Sequence, residues 1–184
     1  MFIRQCSAGP IGLVRPTGEN PFRGRSADFL GEACVFLAPG GRRGRGHVGW
    51  GMRTGNSTFV WGATEGPVRP IDGLTAPAGR KRAWHLTGSR KAMVESFRNG
   101  GGVNLGTGYY TTCTCGSVVG PDPVGAARRV AVVEHSRYGL LRATCVDDVH
   151  SILCAYGTCG LPAPSGRWHP TAWYSGIRWG RQVL

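Results

Sequence analysis

Two residues of this sequence, Cys145 and His47, could act as a nucleophile and as an acid–base group. Each stands at the start of a predicted helix or strand. Cys145 begins a stretch, 145–156, in which apolar residues recur at helical spacing. Unpaired backbone N–H groups at a helix N-terminus lower the pKa of a thiol and favour the thiolate. His47 begins an alternating segment typical of a strand. A thiol and an imidazole together indicate nucleophilic catalysis, although most free cysteines are simply small buried hydrophobic residues.

The ends of the Cys145 helix are marked by ordinary capping signals. Thr144 is the expected N-cap, because its hydroxyl can accept a backbone hydrogen bond from the first turn. Asp147 and Asp148 lie in that first turn, where the helix dipole favours negative charge, and Gly157 provides the stop. These signals predict a helix that begins at the cysteine itself.

His47 belongs to a predicted β-hairpin. Two alternating segments flank Gly55 and Asn56, a common hairpin turn. If those two residues form the turn, His47 lies opposite Thr64, whereas a one-residue bulge would bring Glu65 there. Either residue would be a polar partner that could orient the imidazole. The glycines of the hairpin predict an uncrowded face near the histidine, as a substrate channel would need: Gly49, Gly51 and Gly62.

Other elements are predicted from local patterns. An apolar run at 34–38 indicates a buried strand, and 84–86 indicates an edge strand. A short helix is expected from Ser89 to about Arg98, and another begins at Asp122-Pro123, with aspartate as cap and proline in the first turn. We expect this last helix to pack beneath the Cys145 helix. Residues 99–120 and the basic loop 41–46 have no regular pattern, and neither has the context of a nucleotide-binding loop.

The order of these parts resembles a known family. A short strand, a strand that begins with His47 in H-V-G-W-G, a partner strand, and a late helix that begins with Cys145 in C-V-x-D-V together resemble the circularly permuted papain-like hydrolases. These are relatives of the NlpC-type cell-wall peptidases and of lecithin:retinol acyltransferase. The resemblance covers about residues 33–175. It implies an α+β fold in which a small antiparallel sheet packs against helices and the nucleophile helix comes late in the chain.

The resemblance also implies roles for individual residues. Cys145 would be the nucleophile and His47 the general base, acting on an amide, ester or thioester through an acyl-enzyme. The third polar residue would lie on the second hairpin strand, where we assign Glu65. Two positions depart from the family: Trp61 stands where it often has His, Asn or Gln, and Thr144 stands where the permuted branch often has Asn. The implied chemistry needs neither a metal nor an organic cofactor. An inactive descendant that binds a protein partner is an open alternative.

The chain is long enough for one domain with a core. We expect an irregular N-terminal arm over 1–32, a catalytic domain over 33–160, and a Pro/Trp-rich tail over 161–184. The aromatic residues of that tail are expected to hold it on the domain. Stacking of those aromatic residues on nucleic-acid bases is the alternative.

The protein is strongly basic, with 22 Lys+Arg against 10 Asp+Glu and a formal net charge of +12. Lys81 and Lys91 are its only lysines, so the charge is carried by arginine. This composition is compatible with binding to polyanions. It supports a rival hypothesis, a nucleic-acid-binding module that uses Arg42, Arg43, Arg45 and the aromatic tail. The oligomeric state is not indicated by the sequence.

The cysteine count is odd, at seven. The N-terminal segment lacks the pattern of a signal peptide, and no apolar run approaches the ~20 residues that a membrane span needs. We therefore expect a soluble cytoplasmic protein with mostly free thiols. A zinc site is the alternative use of four of the cysteines: Cys113, Cys115, Cys154 and Cys159.

Overall fold

A computed structural model gives the fold. It describes residues 30–67, 81–100, 110–137, 144–158, 160–164 and 169–183.

The described elements are mainly strands in the first part of the chain and mainly helices in the second. The strands are β1 Gly31–Ala38, β2 His47–Arg53, β3 Phe59–Pro67, β4 Lys81–Gly88, β5 Thr112–Val118 and β6 Gly180–Val183. The helices are α1 Gly41–Gly44, α2 Arg90–Arg98, α3 Pro123–His135, α4 Cys145–Tyr156 and α5 Pro170–Ser175.

The six described strands form one sheet in the order β4-β3-β2-β1-β5-β6, and all neighbours are antiparallel. Side chains alternate between its two faces, and both faces are covered. On one face, β1 and β2 contribute Val35, Leu37, Val48 and Trp50 to a core shared with α3, α4 and α5. On the other face, α2 packs on β3 and β4. The expected α+β fold with an antiparallel sheet against helices is confirmed.

Helices with strong local signals lie where the sequence predicts them. α4 begins at Cys145, with Thr144 as N-cap, and ends before Gly157, whose left-handed conformation at φ 110° suits a residue without a side chain. Asp122 caps α3, Pro123 is its first residue, and α3 packs against α4 as expected. Ser89 caps α2 in the same way.

Two strands were not anticipated, and both extend the sheet beyond β1. β5 is built mainly from threonine and cysteine, so its sequence lacks the apolar alternation that identifies a strand. β6 lies within the expected tail and pairs with β5, so this tail contributes to the sheet as well as packing on it. The tail is held in addition by Trp173, which is fully buried and donates from Nε1 to the carbonyl of Pro162 at 2.7 Å.

Smaller differences concern the boundaries. β1 begins at Gly31, just before the expected end of the N-terminal arm, whose residues 1–29 lie outside the described part of the chain. The basic loop contains one helical turn, α1. Among the described helices, none combines the length and apolar character needed to cross a membrane.

Candidate active site

His47 is placed by a tight connection between β1 and β2. Gly46 has φ 84°, and a Cβ there would lie 2.3 Å from Thr171 Oγ1, so a side chain is excluded on both grounds. The chain therefore turns back and enters β2 at His47, opposite Ala38 at the end of β1. The His47 side chain is completely buried at this end of the sheet.

Glu65 is brought to His47 by the register of β2 and β3. Arg53 pairs with Phe59 and Gly49 pairs with Ala63, so the same register continued towards the strand end sets His47 opposite Glu65. Nε2 of the imidazole lies 3.0 Å from Oε2 of the carboxylate. The sequence-based hypothesis named the right partner for the wrong reason, because no bulge separates these paired residues.

The observed register of β2 and β3 differs from the expected one because the hairpin loop is different. The strands end at Arg53 and Phe59, and Thr54 donates its N–H to the carbonyl of Thr58 at 2.8 Å. The loop is therefore longer than the two-residue Gly-Asn turn that was expected. Thr64, the alternative third residue, is buried, but successive side chains of a strand point to opposite faces, so it points away from the face that Glu65 occupies.

Cys145 reaches the same site from α4. It is the first residue of the helix and is 2% exposed. Thr144 and Asp147 form a capping box: the Thr144 N–H donates to Asp147 Oδ2 at 2.9 Å, and the Asp147 N–H donates to Thr144 Oγ1 at 3.4 Å. This box holds the helix start, and Cys145 interacts electrostatically with His47.

The imidazole is held in its charged form by two anionic neighbours. Burial alone disfavours the imidazolium, but its electrostatic interactions with Cys145 and Glu65 outweigh this effect and raise the pKa of His47 from 6.5 to about 10. Since Nε2 faces Glu65, Nδ1 is the nitrogen that remains for the sulfur. The imidazole thus has two side chains as neighbours, the Glu65 carboxylate and Cys145.

Glu65 has two further neighbours that sequence reasoning missed. Trp84 Nε1 donates to Glu65 Oε1 at 2.9 Å, and Tyr110 interacts with the same carboxylate. Burial, followed by electrostatic interactions with Glu65 and Cys145, raises the pKa of Tyr110 well above its usual value. Trp84 pairs with Ala63, two residues before Glu65, so it is a diagonal cross-strand neighbour. Only the β3–β4 register identifies it.

The surroundings of the site are aromatic. The ring centroids of His47 and Tyr110 are 5.9 Å apart, and Phe97 of α2 packs edge-on against Tyr110 at 4.7 Å. Phe97 also lies 5.8 Å from Trp84. The three aromatic residues thus form a continuous wall beside the imidazole and the carboxylate.

The hairpin glycines do not leave a channel, contrary to expectation. A Cβ at Gly49 would lie 2.5 Å from Phe97 Cε1, and one at Gly51 would lie 2.4 Å from Met93 Sδ. At Gly62 it would lie 2.1 Å from the backbone carbonyl oxygen of Trp84. The space above these glycines is filled by α2 and β4, so the absence of side chains permits close packing of protein on protein.

The described cysteines include one disulfide beside the thiols that were expected. Cys34 and Cys115 form a disulfide across the paired strands β1 and β5. Among the described cysteines, Cys113, Cys145 and Cys154 are free. The zinc hypothesis is not supported. Cys115 is not available as a thiolate ligand because it is in the disulfide, and Cys154 lies on α4 beside His150. Cys159 lies outside the described residues.

One group within the described residues has metal-ligand spacing: Glu32, Cys34 and Cys115. Its two sulfurs are joined in the disulfide, and Arg90 donates from Nε to Glu32 Oε1 at 2.8 Å. A guanidinium already occupies this carboxylate, so these residues do not fit a cation site.

The aromatic residues assigned to the rival nucleic-acid hypothesis are largely enclosed. Trp173 and Tyr174 are 0% and 2% exposed, so they cannot stack on bases, and Trp179 packs partly on the core. Arg45 is exposed, whereas the side chains of Arg42 and Arg43 lie outside the described part of the structure.

Comparison with known proteins identified no matching family model, no matching curated protein and no matching solved structure.

Proposed function

We propose that this protein is a thiol-dependent hydrolase or acyltransferase that acts on an amide, ester or thioester carbonyl. Cys145 is the nucleophile, His47 is the acid–base residue, and Glu65 orients and charges the imidazole. The observation that carries the proposal is the meeting of these three side chains, from α4, β2 and β3, in one buried cluster. A nucleophile, a base within hydrogen-bond reach and a third group behind the base are the required parts of covalent catalysis.

In the proposed reaction, Cys145 starts as a thiolate and His47 as an imidazolium. The sulfur attacks the substrate carbonyl carbon, the carbonyl π bond opens, and negative charge develops on its oxygen. As the intermediate collapses, His47 gives its proton to the departing amine, alcohol or thiol, and a thioester to Cys145 remains. Water or an acceptor then loses a proton to His47 while attacking this thioester. Release of the acyl product regenerates the thiolate and the imidazolium.

The developing oxyanion is stabilised at the start of α4. The first N–H groups of a helix have no carbonyl partner within it, and their dipoles sum to a partial positive charge. The N–H of Cys145 lies at this position and is the expected donor to the oxyanion. The capping box keeps this helix end rigid, so the donor does not have to reorganise during the reaction.

The order of the elements supports a permuted papain-like fold. The histidine strand β2 and its partner β3 precede the cysteine helix α4, and an antiparallel sheet packs against that helix. This order is the one that the resemblance to the permuted papain-like hydrolases implies. On this proposal the substrate is a peptide, amide or acyl compound, and no metal or organic cofactor takes part. The cytoplasmic location stays a prediction, which the Cys34–Cys115 disulfide does not favour.

The proposal is tested with a panel of activated amide, ester and thioester substrates and with intact-mass detection of the acyl-enzyme. The Cys145→Ala variant should lose turnover by about 1,000-fold or more and form no adduct. The matched control is Cys154→Ala, because Cys154 Sγ also lies beside a histidine, 3.7 Å from His150 Nε2, but outside the cluster. Undiminished turnover in Cys145→Ala would refute the proposal.

A second candidate function follows from the burial of the cluster. Cys145 is 2% exposed and the side chains of His47 and Glu65 are not exposed at all, so a substrate has little direct access. A papain-like scaffold that binds a protein partner without catalysis fits this enclosure. Iodoacetamide that modified Cys154 and left Cys145 unmodified at neutral pH would favour the scaffold over the enzyme.

Binding to polyanions is a separate prediction from the net charge of +12. The enclosure of Trp173 and Tyr174 limits it to arginine contacts with phosphates. Affinity for a labelled oligonucleotide should then fall steeply with salt and should not depend on base sequence.

A further inference from the structure

The geometry points to Trp84 as a positioning residue of the proposed reaction: its indole N–H holds the Glu65 carboxylate ionised and aimed at His47. This inference rests on the proposed function and adds a fourth residue to the cluster. It does not make Trp84 a catalytic residue, since the indole touches Glu65 and not the reacting atoms.

The two oxygens of Glu65 have different partners. Oε1 accepts from Trp84 Nε1 at 2.9 Å, and Oε2 lies 3.0 Å from His47 Nε2. Holding one oxygen fixes the plane and the direction of the other. The carboxylate is therefore aimed at the imidazole before any substrate arrives, which is the condition for preorganised catalysis.

The indole is itself held in place. Trp84 lies on the edge strand β4, where backbone pairing with Ala63 sets its position relative to Glu65. Phe97 packs against the indole at 5.8 Å, and Phe97 is fully buried and stacks on Phe36 at 3.8 Å. The hydrogen bond is thus supported by the core between α2 and the sheet.

The indole N–H of Trp84 affects the protonation state of Glu65. A buried carboxylate is stable as an anion only when hydrogen bonds replace its water. An indole N–H donates a stronger hydrogen bond to a carboxylate than to a protonated carboxyl group, so Trp84 favours the charged form of Glu65. Without this donor, Glu65 competes more strongly for the proton of the imidazolium. The pair of His47 and Glu65 would then shift towards its neutral form, and the thiolate would lose its cation.

The test compares Trp84→Phe with Trp61→Phe. Both substitutions remove an indole N–H from the same face of β3 and β4, but Trp61 Nε1 has no hydrogen-bond partner among the described residues. The measurements are the pH dependence of Cys145 alkylation by iodoacetamide, followed by mass spectrometry, and the separate kcat and KM for an activated thioester. In a second variant, benzothienylalanine at position 84 replaces only N–H by sulfur and so preserves the packing.

For both position-84 variants we expect the midpoint of Cys145 alkylation to move to higher pH and kcat to fall about 10- to 100-fold with KM unchanged, as for loss of a hydrogen bond to a charged group. Trp61→Phe should change neither. If Cys145 reacts in all variants with one common pH profile, the inference is overturned while the proposed function stands. If Cys145 of the unaltered protein fails to react and Cys145→Ala keeps its turnover, both are overturned.

Discussion

Nε2 of His47 and Oε2 of Glu65 lie 3.0 Å apart at the end of two paired strands, and neither side chain is exposed to solvent. A buried ion pair is costly to form unless further hydrogen bonds satisfy its charges. Here Trp84 donates to the carboxylate, and Cys145 interacts with the imidazole. Well-packed hydrophobic residues at these positions would stabilise the fold about as much as this buried pair does. The proposed catalysis would give a physical reason for its presence.

Glu65→Gln should narrow the pH range of the reaction. The amide keeps the shape of the side chain but removes the charge that helps to raise the pKa of His47 to about 10, so the alkaline limit of activity should move to lower pH. Turnover should fall on the order of 100-fold, within the range of acid–base contributions. A kcat–pH profile measures both effects. Glu95→Gln is the control, because Glu95 lies on the surface of α2, with a side chain 53% exposed, and pairs with Lys91.

The same substitution should change the pH dependence of stability. The pKa of His47 is raised on folding, so the stability it contributes is complete below pH 6.5 and is lost as the pH rises towards about 10. The unaltered protein should therefore lose thermal stability across this interval, and Glu65→Gln should lose less. Thermal melting curves at pH 6.5 and about pH 10 measure this loss for both proteins. An equal loss in the two proteins would show that His47 is uncharged in the folded state.

Thr144→Ala tests whether the N-cap of α4 affects the reactivity of Cys145 as well as the stability of the protein. Loss of an N-cap hydroxyl costs about 1 kcal/mol, and the same cost is expected for Ser89→Ala at the start of α2. Because Thr144 directly precedes Cys145, only Thr144→Ala should also slow alkylation of Cys145. Chemical denaturation measures the first effect and iodoacetamide kinetics the second. Equal alkylation rates in the two variants would contradict a role of the capping box in the site.

Gly49→Ala should destabilise the protein and weaken the site. Its Cβ would lie 2.5 Å from Phe97 Cε1, and overpacking of this kind costs about 1–3 kcal/mol. Phe97 supports both Trp84 and Tyr110, so turnover should fall as well. Gly40→Ala is the control, since a Cβ there meets nothing within 4 Å and should change stability by less than about 0.5 kcal/mol. Urea denaturation of both variants provides the comparison.

The disulfide between Cys34 and Cys115 should stabilise the fold without taking part in the chemistry. It joins residues separated by 81 positions, for which the loop-entropy model gives about 4 kcal/mol. The double variant Cys34→Ala and Cys115→Ala should therefore unfold at a clearly lower urea concentration while its folded form keeps turnover. Cys154→Ala, which removes a free thiol, should leave the unfolding midpoint unchanged. A double variant that is as stable as the parent would show that the bridge does not form.

The secondary structure around Cys145 could be predicted because its signals are local. Thr144, Asp147 and Gly157 mark the ends of α4 through hydrogen bonds and backbone geometry that involve only nearby residues. β5 could not be predicted in this way. Its threonines and cysteines become a strand only because β1 and β6 lie on either side and satisfy its backbone groups.

The third member of the cluster shows the limit of pattern arguments. A change of one residue in the hairpin register exchanges Thr64 and Glu65 between the faces of β3. The sequence around Gly55 and Asn56 suggested a shorter loop than the one that forms, so only the paired strands decide which side chain meets His47. Trp84 is decided by a second register, between β3 and β4, for which the sequence carries no local signal.

The amino-acid sequence by itself determined α2, α3 and α4, the alternating hairpin segments, and the positions of His47 and Cys145 at the starts of a strand and a helix, because each depends on neighbours within a few positions. Only the tertiary structure decided that Cys145, His47 and Glu65 meet, that Trp84 and Tyr110 join them, and that the hairpin glycines pack against α2 and β4. These contacts link distant parts of the chain, and their geometry follows from strand register and from the packing of helices on the sheet.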